Sequence, residues 1–101
     1  MKEHNIKTDY IKKWKSNALK EYISKVDAIE KLYRKIADLE NLIEAFDKDI
    51  EELEGTGLDR TVEILCKARN SLNLERLELE IHICKLKLWL AEFEKARQLA
   101  R

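Results

Sequence analysis

The chain has 101 residues, in which 20 basic and 20 acidic side chains cancel, with 45% hydrophobic residues, two glycines and no proline. That is one domain at most, and with Gly55 and Gly57 as its only breakers the chain lacks the turn residues that a sandwich or barrel needs roughly every eight to twelve positions. Balanced charge and regularly spaced Leu, Ile and Val argue against disorder, so the composition predicts an all-α fold: a long antiparallel helical hairpin, coiled-coil-like, assembled into a dimeric helical bundle.

The first arm is expected over residues 8–54. Thr8 is its N-cap, with Asp9 in the first turn, and Gly55 is the C′ glycine that stops it after Glu54. Ile29, Leu32, Ile36, Leu39, Ile43, Phe46, Ile50 and Leu53 are spaced 3,4,3,4,3,4,3, a heptad seam with Ile at every a position and Leu or Phe at every d. Upstream, Ile11, Trp14, Ala18, Leu19, Tyr22, Ile23 and Val26 extend the seam as a wider stripe, and the weak helix formers Ser16 and Asn17 mark a possible kink.

Charge is segregated along this arm. Residues 1–25 carry a net +4, residues 26–59 a net −7 and residues 60–101 a net +3. In the basic block, Lys12, Lys13 and Lys15 flank Trp14, a mixture that suits a nucleic-acid backbone with stacking. Trp14 also falls in register with Ile11 and Ala18, which favours a core or dimer anchor. In the acidic block, Glu40, Glu44, Asp47, Glu51 and Glu54 are spaced 4,3,4,3 and form one stripe beside the seam. Acids in the last turns of a helix oppose its dipole, so this stripe is either a functional surface or an ion-pair ladder to Arg60 and Arg69 of the other arm.

The turn is expected at 55–57, with Thr56 as N-cap of the next helix and Asp59 completing a capping-box variant. A connection of two or three residues forces an αα-hairpin, and this intrachain partner favours an antiparallel pair over a free-standing parallel zipper.

The second arm is expected over 57–100. Leu58, Leu65, Leu72, Leu79, Leu86, Phe93 and Ala100 recur every seven residues, with Val62, Ile83 and Leu90 beside them, and face the first arm. Asn70, Ser71 and Asn73 mark a second possible kink. A separate set, Leu74, Leu77, Ile81, Cys84 and Leu88, lies well around the helix from the seam. One hairpin partner covers one face, so this set is the expected oligomer interface. The alternation of Leu77, Leu79, Ile81 and Ile83 with charged residues imitates a strand, but Leu, Glu and Lys are helix formers and no second strand is available to pair.

Catalytic constellations are missing. Gly55-Thr56-Gly57 lacks the rest of a phosphate loop, and a nucleophile would find only His4 or His82 as base. His82 and Cys84 point in different directions on a helix, and the di-iron spacing is absent, so no metal or other cofactor is expected. Cys66 and Cys84 lie five turns apart, about 27 Å on one helix, too far to bridge; both are expected as buried small hydrophobes. The longest apolar run, Leu88 to Ala91, does not approach a membrane span, and no signal-peptide core follows Lys2, which gives a cytoplasmic expectation.

These features predict a non-enzymatic helical protein that self-associates as a homodimer and binds an unidentified partner protein through a charged or apolar face, in general look similar to small bacterial or phage regulatory proteins. Two alternatives involve nucleic acid. In one, the acidic stripe imitates phosphates and inhibits a nucleic-acid enzyme; in the other, the Lys-rich N-terminus binds nucleic acid directly.

Overall fold

The computed structural model describes the backbone of residues 2–99 and the side chains of residues 16–99. Two helices, α1 (Lys2–Leu53) and α2 (Asp59–Leu99), lie antiparallel along their lengths in a hairpin 85 Å long and 19 × 14 Å in cross-section. The radius of gyration is 23.3 Å, against about 13 Å for a compact domain of this length.

α1 begins before Thr8. The residues that precede Thr8 include no glycine or proline, so the helix continues through the expected cap to Lys2. Residues 2–25 therefore continue the first helix rather than folding back. Both expected kink sites are helical without interruption. In α2 the Ser71 hydroxyl donates to the Lys67 carbonyl one turn back, so its hydrogen-bonding needs are met inside the helix.

The turn is longer than expected and differently capped. It covers residues 54–58, with Gly55 at φ +78° and Gly57 at φ +86°, the left-handed conformations that L side chains resist. Thr56 caps the end of α1 instead of the start of α2: its N–H and its hydroxyl both donate to the Leu53 carbonyl, at 3.2 and 2.6 Å. A carbonyl freed at the end of α1 is the nearer acceptor, whereas α2 starts three residues further on. The Leu58 carbonyl accepts from the Val62 N–H at 3.1 Å, which makes Leu58 the residue that opens α2 and leaves its side chain exposed rather than in the seam.

The core is one narrow seam. Leu32 and Ile36 of α1 pack with Ile83 and Leu86 of α2, supported by Ala28, Ile29 and Leu79, while Leu39 and Ile50 are buried nearer the turn. On α1 the line of buried and half-buried residues runs backward from Ile29 through Lys25, Tyr22 and Ala18, whereas Leu19, Ile23 and Val26 are exposed, so the stripe expected upstream is narrower than its apolar content suggests. On α2 the line is Val62, Leu65, Arg69, Leu72, Arg76, Leu79, Ile83, Leu86, Leu90 and Phe93, spaced 3,4 throughout. Two arginines therefore occupy seam positions. Their Nε atoms are buried without a hydrogen-bond partner; the end of the Arg69 guanidinium reaches out to Asp47, whereas the Arg76 Nε itself faces Glu80 at 3.9 Å.

At the open end the packing becomes aromatic. Tyr22 and Phe93 approach to 5.2 Å between ring centroids, Trp89 stacks on Phe93 at 5.4 Å, and the Lys25 amine sits 5.5 Å from the Trp89 ring. The Tyr22–Phe93 contact fixes the register: Leu99 is level with about residue 16, so the first turns of α1 extend past the described end of α2.

Candidate functional site

Helix geometry determines where the side chains outside the seam stand. At 100° per residue, the line Leu74, Leu77, Ile81, Cys84 and Leu88 lies about 150° around α2 from the seam, nearly opposite α1. All five are exposed: Leu74 at 63%, Ile81 at 56% and Leu88 at 61%, compared with 4% for Ile83 two positions from Ile81. Ala91 continues the same line and is also exposed. Cys84 is a free thiol on this surface and Cys66 is a half-buried free thiol, so the expectation that both are buried fails for Cys84. It fails because Cys84 belongs to the outward line, one residue past the buried Ile83.

A second surface runs along α1. Leu19, Ile23, Val26, Glu30, Tyr33 and Ala37 are spaced 4,3,4,3,4, and the same progression continues through Glu40, Glu44, Asp47, Glu51 and Glu54. One flank of α1 is thus mainly apolar over its middle and acidic towards the turn. The acidic half is legible in the sequence; in the apolar half Leu19, Ile23 and Val26 interleave with the seam and read as part of its upstream stripe, and Tyr33 and Ala37 stand out only once that stripe is set apart. A strict 3,4 count kept apart from the seam separates the two lines.

Tyr33 ties this flank of α1 to the side of α2. Lys87 of α2 donates to the Tyr33 hydroxyl at 2.6 Å and stands 5.2 Å from the centre of its ring. That hydrogen bond, together with the electrostatic attraction of Tyr33, raises the Lys87 amine above the ordinary lysine value.

The acidic stripe is not a ladder to the other arm. Among the described residues, one stripe acid is paired across the helices, Asp47 with Arg69 at 3.0 Å, and one within its helix, Glu44 with Lys48 at 3.7 Å. Glu40, Glu51 and Glu54 are exposed. Arg69 reaches Asp47 because its seam position is level with Asp47 on the flank of α1, whereas Arg60 lies in the first turn of α2, beside the connection. Lys12, Lys13, Trp14 and Lys15 lie outside the residues whose side chains are described.

Among the described residues, no helix is long and apolar enough to cross a membrane, and no group of three or more His, Cys, Asp or Glu side chains is placed to hold a metal ion. Comparisons of the chain with protein-family models, with curated proteins and with solved structures return no match.

Proposed function

We propose that this protein is a non-enzymatic helical interaction protein that self-associates through α2 and engages a partner protein through its charged face. The observation that supports this reading is the exposed apolar line on α2, five residues long and nearly opposite the seam. The accessible surface is 8550 Å², whereas a compact monomer of 12.0 kDa exposes about 6000 Å². A contiguous apolar line on so open a hairpin is the mark of a surface that is covered in use.

Light scattering on the purified chain at tens of micromolar tests self-association, with Ile81→Lys as the control. Ile81 does not pack in the seam, so the variant keeps its helicity, but a lysine at the centre of an apolar interface is left unpaired and gives monomer. A helical wild-type monomer at that concentration defeats the self-association reading.

A second reading, an acidic mimic of nucleic acid that inhibits a nucleic-acid enzyme, draws support from the exposure of Glu40, Glu51 and Glu54 on a stripe about 21 Å long. Mimicry predicts that the protein does not bind DNA or RNA itself but displaces DNA from a basic enzyme cleft, in a manner that weakens with salt. Direct, salt-dependent binding of DNA by the protein alone would point instead to the Lys-rich N-terminus.

A further inference from the structure

We infer that the groove along one side of the hairpin docks a single helix of a partner protein, apolar where it lies over the open half and rich in Lys or Arg where it lies over the turn half. This inference rests on the partner-binding half of the reading above and gives that partner a shape and a chemistry. Tyr33 stands one residue past Leu32 of the seam and Lys87 one residue past Leu86, and the two side chains touch. Positions one residue past the seam therefore open on the same side of the hairpin in both helices. On α1 they form the flank that runs from Leu19 to Glu54; on α2 they include Leu77, Cys84 and Ala91. The contacts Tyr22–Phe93, Tyr33–Lys87 and Asp47–Arg69 set the levels, placing Val26 level with Ala91, Tyr33 with Cys84 and Glu40 with Leu77. Over the open half the groove is thus lined by Ile23, Val26, Tyr33, Leu77 and Cys84, all exposed. Charges among them are answered within the hairpin: Glu30 is level with Lys87, Glu80 lies 3.9 Å from Arg76, and Glu94 lies 4.0 Å from Arg97.

Over the turn half the same groove changes character. The α1 flank carries Glu40, Glu44, Asp47, Glu51 and Glu54, and the α2 positions that face it are Asn73, Asn70, Cys66 and Glu63, none of them basic. Arg69 answers Asp47 from the seam and Lys48 answers Glu44 from its own helix, which leaves Glu40, Glu51 and Glu54 with no base across the groove. The opposite side of the hairpin, one residue before the seam, mixes both signs, with Lys35 level with Glu78.

Two packed helices leave a furrow that takes the side-chain ridge of a third, and the 3,4 spacing of its lining matches the anchors of an amphipathic helix. From Ile23 to Glu54 the groove is about 46 Å long, the span of about 31 helical residues. Lys or Arg at the same spacing in the occupant meets acids that the hairpin itself leaves without bases, while its apolar residues cover Val26, Tyr33 and Leu77. A helix basic throughout would leave the apolar half uncovered, and one apolar throughout would bury Glu40, Glu51 and Glu54 without partners.

Synthetic peptides of about 30 residues test the groove. One carries Leu at 3,4 spacing over half its length and Lys at that spacing over the rest; a second has Glu in place of Lys, and a third scrambles the first. Each is fluorescently labelled and titrated with the full-length Ile81→Lys chain, in which self-association does not compete for Leu77 and Cys84, since Ile81 stands two residues past the seam on the outer side of α2. Anisotropy should show the Leu–Lys peptide binding, about tenfold more weakly in high salt than in low, and the other two not binding. Val26→Lys, exposed in the groove, should weaken that binding about tenfold, whereas Leu42→Lys, exposed on the opposite side of the hairpin, should leave it unchanged. Binding lost on replacing Glu44, Asp47 and Glu51 by their amides but kept in Val26→Lys overturns the groove and leaves the charged-face reading standing; binding that neither change weakens removes both. Failure of the Leu–Lys peptide to bind, or equal binding of the scrambled one, also overturns the groove. If the Ile81→Lys chain still self-associates and Val26→Lys makes it monomeric, a second copy fills the groove and the partner helix is excluded.

Discussion

Ile81 and Ile83 show how sharply one helix divides its residues. Both are isoleucines two positions apart, yet Ile83 is buried with Leu32, Ile36 and Leu86 while Ile81 faces outward. Ile83→Ala should therefore lower the unfolding free energy by about 2 to 4 kcal/mol, the transfer loss plus a cavity the narrow seam closes only in part. Ile81→Ala, measured at concentrations low enough to suppress association, should change it by less than about 0.5 kcal/mol. Urea unfolding followed by circular dichroism compares the two, and similar effects would mean that the assigned seam is wrong. Arg76 tests the seam in the opposite direction. Its Nε is buried without a hydrogen bond and its partner Glu80 stands at 3.9 Å on the same helix, so little offsets the desolvation. Arg76→Leu completes the apolar line and should raise stability by about 0.5 to 1 kcal/mol, read as a higher urea midpoint. A lower midpoint would show that the guanidinium holds the helices together.

The arginines also show why the second helix was less legible than the first. In α1 the seam is spelled in Ile, Leu and Phe over four heptads, and counting apolar residues recovers it from Ile29 to Leu53. In α2 the count recovered the positions seven apart, Leu65 to Phe93, but lost the intervening ones where Arg69 and Arg76 stand, because an arginine stem packs like an apolar residue while its head reads as surface. The turn was legible through its glycines and misread through its threonine. A Thr beside a helix end can accept from a following N–H or donate to a preceding carbonyl, and sequence spacing does not say which; here Thr56 serves Leu53. The glycines carry the conformational requirement. Nothing lies within 4 Å of a Cβ added at Gly57, so Gly57→Ala meets no clash and its cost is the backbone term alone at φ +86°. A loss of about 1 to 2 kcal/mol in thermal or urea unfolding is expected, and a neutral result would mean that the turn adopts another conformation at no cost.

At the scale of the whole molecule, the lone seam and the segregated charge act together. Six of the described residues reach burial in a hairpin 85 Å long, so the monomer has little apolar reserve, and the proposed association draws on the outward line of α2. The sequence showed the charge blocks, but not that the acidic stripe would stay largely unpaired across the helices, since that depends on which arginines the register brings within reach. Glu44→Gln, Asp47→Asn and Glu51→Gln together remove three of the eleven acids of residues 26–59, whose net charge is −7. They break one cross-helix pair, Asp47–Arg69, and one pair within α1, Glu44–Lys48, both on exposed or half-exposed side chains. Such pairs contribute about 0 to 1 kcal/mol each, so helicity should be unchanged and stability nearly so. Self-association through α2 should keep wild-type strength and wild-type salt dependence, because the stripe stands on α1 and the outward line on the face of α2 nearly opposite α1. Sedimentation equilibrium at two ionic strengths measures both effects. A variant whose association weakens or changes its salt dependence would place the stripe in the assembly surface, and one that loses most of its fold stability would make the stripe part of the hairpin's own framework.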